Sequence, residues 1–309
     1  MTLDPNYLDY PNRRHGQDMD RHDWRLAKDR PRVDLPAGEQ VALMPVVVCE
    51  HHPIDPDKTP FGHPHGMVTP YPDLRHYTTR DYGNRVGVFR ILKAFRQAGL
   101  TATFALSADL LDRARPLVDA ILNEGHEIAA AGLNGDAIHH SGMNEGDERA
   151  LIGQVRDAFT QAGLEPTAWM SPARQESFNT PDLLTEAGFS TVLDWETDQV
   201  PVFMRTKAGP LAAPPVFNEL DDYKLLIERK QSEDLWARQL LESVAMLKAE
   251  HAARGAQVLG CTLTPFVIGQ PFRIGALEEV CAALAGDEAV WCAAASAVSE
   301  AFECLREQS

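Results

Sequence analysis

The chain has 309 residues, 44% of them hydrophobic, which is enough to bury a large core and is a common length for a single β/α barrel. Its formal net charge of -16 argues against a nucleic-acid partner, because neutralising phosphates needs clustered Lys and Arg, and no such cluster is present. Five cysteines, at 49, 261, 281, 292 and 304, make an odd count without C-x-x-C spacing, so neither a disulfide framework nor a thiolate zinc site is suggested and a reducing cytoplasm fits best. No run approaches the roughly twenty apolar residues of a membrane span, and no basic segment followed by an apolar stretch opens the chain. A cytoplasmic protein without a membrane partner is the expectation.

Residues 1–38 are polar and rich in Asp, Arg, Asn and Pro, with aromatics at Tyr7, Tyr10 and Trp24. They read as an irregular arm packed over a domain that spans 39–309. Such arms often cross a subunit boundary, so a homo-oligomer is expected. The apolar run 41–48 (VALMPVVV) then stops abruptly at Cys49-Glu50-His51-His52. A run without polar alternation is what a strand covered on both faces looks like, and parallel sheets bind ligands at the carboxyl ends of such strands. Glu50 is therefore the first functional candidate, although the stop would also suit an ordinary strand edge. A loop of about 34 residues follows, far beyond the usual two to six. Its six prolines, from Pro53 to Pro72, suggest an ordered excursion rather than a linker. His63 and His65 within it sit on a Gly/Pro-rich stretch more typical of surface than of ligation.

Helical periodicity appears over 85–98, closed by Gly99, and over 113–123, closed by Gly125. Asn144 caps a third helix to 161, with acids in its first turn, and a long helix is predicted over 233–253. Strand-like runs lie between, at 101–106, 127–131, 167–170, 191–193, 256–263 and 290–293, with a last helix from about residue 295. This repeated βα order predicts an α/β fold, a parallel barrel of seven to eight strands or a doubly wound sheet.

In a barrel the residues beyond each strand meet at one mouth. Those residues are Glu50, His51 and His52; Asn134, Asp136, His139 and His140; Ser171 and Arg174; Asp194 and Trp195; Glu219, Asp221 and Asp222; and Thr264 to Phe266. Arg174 and Arg273 are the counter-charges of an acidic rim. Asp194 and Glu219 suit either substrate binding or a structural bond to backbone N–H or Arg174, and Trp195 is as readily a packing wall. Asn84 is either a helix cap or, with Arg85, part of a donor-rich helix entrance turned to the mouth.

The segments 81–87 (DYGNRVG), 180–184 (TPDLL), 194–195 (DW), 219–222 (ELDD) and 268–273 (IGQPFR) jointly resemble the polysaccharide deacetylase superfamily, and specifically its allantoinase and cyclic-imide-hydrolase branch, over nearly the whole chain from about residue 30. The resemblance implies a distorted (β/α) barrel, an oligomeric habit as dimer or tetramer, and hydrolysis of a non-peptide C–N bond in a small molecule. It adds Gln270 and Arg273 to the substrate-binding candidates. It also implies a divalent metal, yet the positions that match the superfamily's Asp pair and H-x-x-x-H motif read Glu50 alone, then Ala131 and Gly135. The superfamily's separate late Leu-His motif, whose His acts as general acid, reads Leu263-Thr264 here, and the threonine hydroxyl does not titrate near neutrality.

Chemistry on this chain therefore needs another route. Glu50 as base, His51 or His139 as proton shuttle, and Arg85 or Arg174 at the developing oxyanion form one set of roles. A displaced zinc or other divalent-metal site from Glu50, Asp136 and His139 or His140 is a second, since zinc accepts mixed N/O ligands, although the spacing is not a known metal signature. No cofactor is assigned. The expectation is a hydrolase of a cyclic or linear amide, beside two alternatives: a catalytically silent ligand-binding protein, and a divergent lyase or isomerase on the same barrel.

Overall fold

The computed structural model describes residues 19–56, 72 and 74–308. Tyr7, Tyr10, His63 and His65 lie outside them, as does most of the proline-rich loop. The strands are β1 (Val41–Cys49), β2 (Thr103–Leu106), β3 (Glu127–Ala130), β4 (Ala168–Trp169), β5 (Thr191–Val192), β6 (Val202–Met204), β7 (Leu211–Ala213), β8 (Gln257–Leu263) and β9 (Val290–Cys292). They form one sheet in the order β6-β7-β5-β4-β3-β2-β1-β8, with β9 on the amino-terminal half of β1. Every pairing is parallel except β6 with β7. The sheet curls on itself: Val216, just past β7, bridges Gly260 of β8, and Phe217 N–H donates to the Gly260 carbonyl at 3.0 Å. A Cβ on Gly260 would run into the Pro215 carbonyl, so glycine is what lets the edges meet. The expected distorted parallel barrel is thus present, with its seam joined by that bridge and by side chain bonds of Asp221 to Thr262 and of Asp222 to Thr264 N–H.

The two-residue period of each strand sorts its side chains. Ala42, Met44, Val46, Ala105, Ala129, Ala131, Ala168, Met170, Leu193, Ala212 and Val258 form one buried cluster inside the curl, joined by Val298, Phe302 and Leu305. Val41, Leu43, Val47, Phe104, Leu106, Ile128, Trp169 and Val192 face outward, in a larger cluster with residues of the surrounding helices. Those helices are α1 (Leu74–Tyr82), α2 (Val88–Ala98), α3 (Arg115–Asn123), α4 (Glu145–Gln161), α5 (Thr180–Glu186), α6 (Glu233–Arg254), α7 (Ile274–Leu284) and α8 (Ala295–Ala301). Their entries match the sequence signals where caps are simple: Asn144 accepts from Gly146 N–H at 2.7 Å, and Gly99 ends α2 with φ +67°.

Two helical segments depart from expectation: α1, Leu74–Tyr82, occupies the end of the stretch read as a loop, and the entry to the next helix is not where it was placed. Asn84 and Arg85 do not begin a helix but lie within a π-helical stretch, Gly83–Gly87, that joins α1 to α2. The cause is close approach. A Cβ on Gly83 would lie 2.7 Å from the Phe266 backbone nitrogen, and one on Gly87 would meet the Pro265 carbonyl. The two glycines let this helix press against the loop after β8, and π-bulges of this kind often mark functional sites. Residues 19–38 form no helix or strand. They are tied to the barrel by Arg21 on Asp182 at 3.0 Å, by Arg30 on Asp198 and by Val33 O accepting from Ala256 N–H at 2.7 Å.

Candidate active site at the barrel mouth

The inward parity of β1 continues beyond its end: residues 42, 44, 46 and 48 point into the curl, and so do 50 and 52. Glu50 and His52 accordingly share one side, with His52 Nε2 3.3 Å from Glu50 Oε2 and both side chains largely buried. They line a cavity of about 130 Å³ together with Val48, Arg80, Asn84, Met170, Ser171, Ala173, Arg174, Asn218, Asp221, Tyr223, Thr262, Thr264, Pro265 and Phe266. These residues come from the ends of β1, β4, β7 and β8, from α1 (Arg80), from the π-helical stretch (Asn84) and from a second π-helical segment, Tyr223–Glu228. The rim is held by side chain to backbone bonds. Asn84 Nδ2 donates to the Glu50 carbonyl at 2.9 Å. The Arg174 guanidinium donates to Val216 O at 2.7 Å, Asp194 O at 3.1 Å and Asn218 Oδ1 at 2.8 Å. Ala173 and Arg174 both adopt left-handed backbone, φ +57° and +52°, a conformation that costs non-glycine residues energy and recurs at ligand sites.

Of the residues given a catalytic or binding role from sequence, Glu50, Asn84 and Arg174 line this cavity, and so do His52, Ser171, Asp221 and Thr264 to Phe266 from the expected mouth; the other role-bearing candidates lie elsewhere. His51 has the opposite parity: its Nδ1 faces Asp109 Oδ2 at 3.2 Å, and burial, then the nearby Arg113, holds its pKa below the usual value. His139 is fully buried, its Nδ1 3.0 Å from Glu148 Oε1 and its ring edge-on to Trp169. Glu148 also accepts from Ser177 Oγ at 2.6 Å and Thr180 Oγ1 at 2.5 Å. This network ties the loop after β3 to the segment after β4, and His139 is a part of the scaffold rather than of the cavity wall. Arg85 has a side chain 75% exposed and paired with Asp81 on the helix surface. Glu219 pairs with Lys224 and Arg229 in solvent. Gln270 donates to Phe266 O at 3.1 Å, and Arg273 holds Glu233 at 2.9 Å. His140 Nδ1 accepts from Gly142 N–H at 3.1 Å, and Asp136 N–H is capped by Asn134 Oδ1.

Asp194 and Trp195 stand just behind the wall. Asp194 Oδ1 accepts from Ser171 N–H at 2.9 Å, and Trp195 Nε1 donates to Glu176 Oε1 at 2.9 Å. Burial, followed by the Asp194 charge, pushes the Glu176 carboxyl well above the carboxylate range, and burial raises Asp194 too. Among the described residues, Asp194 Oδ2 is buried and has no hydrogen-bond partner. Asp222, on the opposite flank, is fully buried and accepts from Thr264 N–H at 2.9 Å. Burial, then Asp221, raises its pKa well above the ordinary value.

The metal implied by the resemblance needs a donor set, and the described residues do not supply one. Ala131 is buried inside the curl as a bare methyl, and Gly135 has no side chain. Among the described residues no group of three His, Cys, Asp or Glu is placed to hold an ion. Glu50 and His52 are two donors where a resident zinc needs three or four, so the displaced site of Glu50, Asp136 and His139 or His140 is not assembled.

Arg80, Tyr223 and Thr262 line the cavity without having been expected there, whereas His52, Ser171 and Asp221 were placed at the mouth but given no role. His52 was within reach of sequence reasoning: carrying the strand period two steps past Val48 selects 50 and 52 and rejects 51. Arg80 and Tyr223 arrive on helices, and no local pattern marks them.

Residues 70–192 match the family model described as Polysaccharide deacetylase. The chain is similar in fold to a structure described as a probable polysaccharide deacetylase from Pseudomonas aeruginosa PAO1, with 23% identity, 89% of this chain and 94% of that one covered, and a TM-score of 0.78. Puue Allantoinase is 22% identical, with 89% and 94% covered and a TM-score of 0.79. A further structure, from Mycobacterium smegmatis, is 22% identical over 91% and 96% of the two chains, with a TM-score of 0.71. No curated protein matches the chain. The superfamily resemblance read from the motifs is borne out by the family match and by this shared fold, which an allantoinase also has.

Proposed function

We propose that the protein is a hydrolase of a non-peptide C–N bond in a small cyclic or linear amide, and that Glu50 is its base, acting without a resident metal. The observation that carries this reading is the Glu50–His52 pair, buried at the inward end of β1 and lining the one cavity that also gathers Ser171, Arg174, Asp221 and Thr264. The family match and the fold shared with an allantoinase support the reaction class.

The chemistry follows from those positions. His52 Nε2–H faces Glu50 and fixes its carboxylate. That carboxylate takes a proton from water, whose oxygen bonds to the amide carbonyl carbon. Arg80 and Arg174 on the wall, with the Ser171 hydroxyl, supply positive potential to the developing oxyanion, the kind of fixed stabilisation that lowers acyl-transfer barriers most. The C–N bond then breaks, and the Glu50 carboxylic acid returns its proton to the departing nitrogen. Buried Asp222 holds the Thr264 backbone in place and shapes the far wall.

The test is a panel of hydantoins, cyclic imides and N-acyl compounds, assayed with and without chelator. Turnover that survives chelation and falls about 100- to 10,000-fold in Glu50→Gln, the span of general acid–base catalysis, is expected. Turnover lost to chelator and restored by zinc would overturn the metal-free assignment. Absence of the three superfamily imidazoles favours one other reading, a silent binding protein. Thermal stabilisation by one compound with no turnover of any would support it. The dimer or tetramer implied by the resemblance is checked by light scattering. Among the described residues, no helix is long and apolar enough to cross a membrane.

A further inference from the structure

Gly135 follows β3 in a loop that is tightly held. Its N–H donates to the His51 carbonyl at 2.8 Å, and Asn134 braces the turn by accepting from Asp136 and Ala137 N–H at 3.0 and 3.1 Å while donating to Asp109 at 3.0 Å. Unlike Gly132, with φ +60°, Gly135 has ordinary backbone that any residue adopts. What excludes a side chain there is a ring. A Cβ on Gly135 would lie 2.5 Å from Nδ1 and 2.8 Å from Nε2 of His52, and nearer still to Cε1; these three atoms are its nearest neighbours. The imidazole delivered by β1 therefore fills the space that a side chain from the β3 loop would take.

We propose that Gly135 is the positioning residue for His52: a side chain at 135 and the His52 ring beside Glu50 are mutually exclusive. The inference rests on the reading of Glu50–His52 as the working pair for its effect on turnover, but not for its steric content. The loop is pinned at both ends, whereas the ring is the far end of a rotatable side chain, so a methyl at 135 moves the ring and leaves the fold intact. The site has thus taken its imidazole from another strand, and glycine at 135 is the condition for that.

The experiment is a double-mutant cycle of Gly135→Ala and His52→Ala, read by the ring signals of His52 in carbon–proton NMR spectra, by the thermal midpoint, and by kcat and KM on whichever amide the panel identifies. The ring signal, assigned by its loss in His52→Ala, is expected to move in Gly135→Ala. kcat is expected to fall about 100-fold, as for a catalytic group misplaced by an ångström, with KM nearly unchanged. In the His52→Ala background, Gly135→Ala should change nothing further. An unmoved ring signal would overturn the proposal whatever the activity, as would an effect of Gly135→Ala that persists without His52. Should Gly135→Ala fail to fold, recovery of folding in the double variant supports the proposal and failure there refutes it. A displaced ring with full kcat would leave the exclusion standing and reject His52 as part of the working pair.

Discussion

Replacing Glu148 with glutamine should loosen the barrel mouth without touching its cavity. The Glu148 carboxylate is fully buried and accepts from three donors on two loops: His139 Nδ1 at 3.0 Å, Ser177 Oγ at 2.6 Å and Thr180 Oγ1 at 2.5 Å. Burial alone would raise its pKa, but the bonds from His139, Ser177 and Thr180 outweigh that and hold it below the usual value. Glutamine retains one acceptor oxygen and turns an NH₂ toward a donor, so one charged hydrogen bond is lost and one buried donor is left facing another. Hydrogen bonds to charged groups contribute about 1.5–3 kcal/mol, so a loss of about 2 kcal/mol is expected, and about 4 kcal/mol for Glu148→Ala, which strips all three donors of their acceptor. In a chain of this size the first figure corresponds to a fall in the thermal midpoint of about 4 °C. The gap should also depend on pH with a definite sign. A carboxylate depressed on folding contributes its full stabilisation above the ordinary value of about 4.3, and the contribution disappears as pH falls through the folded value. Urea midpoints of the two proteins at pH 7 should therefore differ and converge on acidification, not on alkalinisation. Equal midpoints at pH 7, or a gap that stays constant into acid, would refute the account of this network.

Arg85→Ala should leave kcat and KM unchanged in the same amide assay, because its guanidinium is in solvent on Asp81; a tenfold loss would put the arginine in the site after all. Glu176→Gln should be near neutral for stability at acid pH and stabilising at pH 7. A carboxyl raised on folding destabilises progressively once pH passes its unfolded value, and the amide keeps the acceptor for Trp195. Thermal midpoints across pH 4 to 8 decide this, and a glutamine variant less stable than the parent at pH 7 would count against the raised Glu176 carboxyl.

Much of the barrel was legible because its signal is local. The unbroken apolar run of β1 marks a strand buried on both faces, and Gly99 and Asn144 end and begin helices as isolated residues do. Roles in the site were legible only at Glu50, Asn84 and Arg174, while His52, Ser171, Asp221 and Thr264 were placed at the mouth without one. His51 and His139 attract attention as imidazoles near strand ends, yet which way a side chain points is set by parity for the first and by a buried carboxylate from α4 for the second. Arg85 looks like a helix-entrance donor until Gly83 and Gly87 carry the helix straight through it, and that depends on the distant Pro265 and Phe266 backbone. The glycine at 135 reads in sequence as a missing ligand. Only the fold shows that something else stands in its place.

The barrel's lone bridge between Val216 and Gly260 has a mechanical meaning for whatever occupies the cavity. Asn218, Asp221 and Tyr223 stand on one bank of that join, Thr262 and Thr264 on the other, and the Thr262 hydroxyl reaches across as a cross-tie to Asp221 Oδ2 at 2.5 Å. A molecule touching both banks acts as a buckle on a seam where strand pairing is one β-bridge rather than a ladder, so occupancy should slow amide exchange at Val216 and Phe217 before it does so anywhere in β1 or β2.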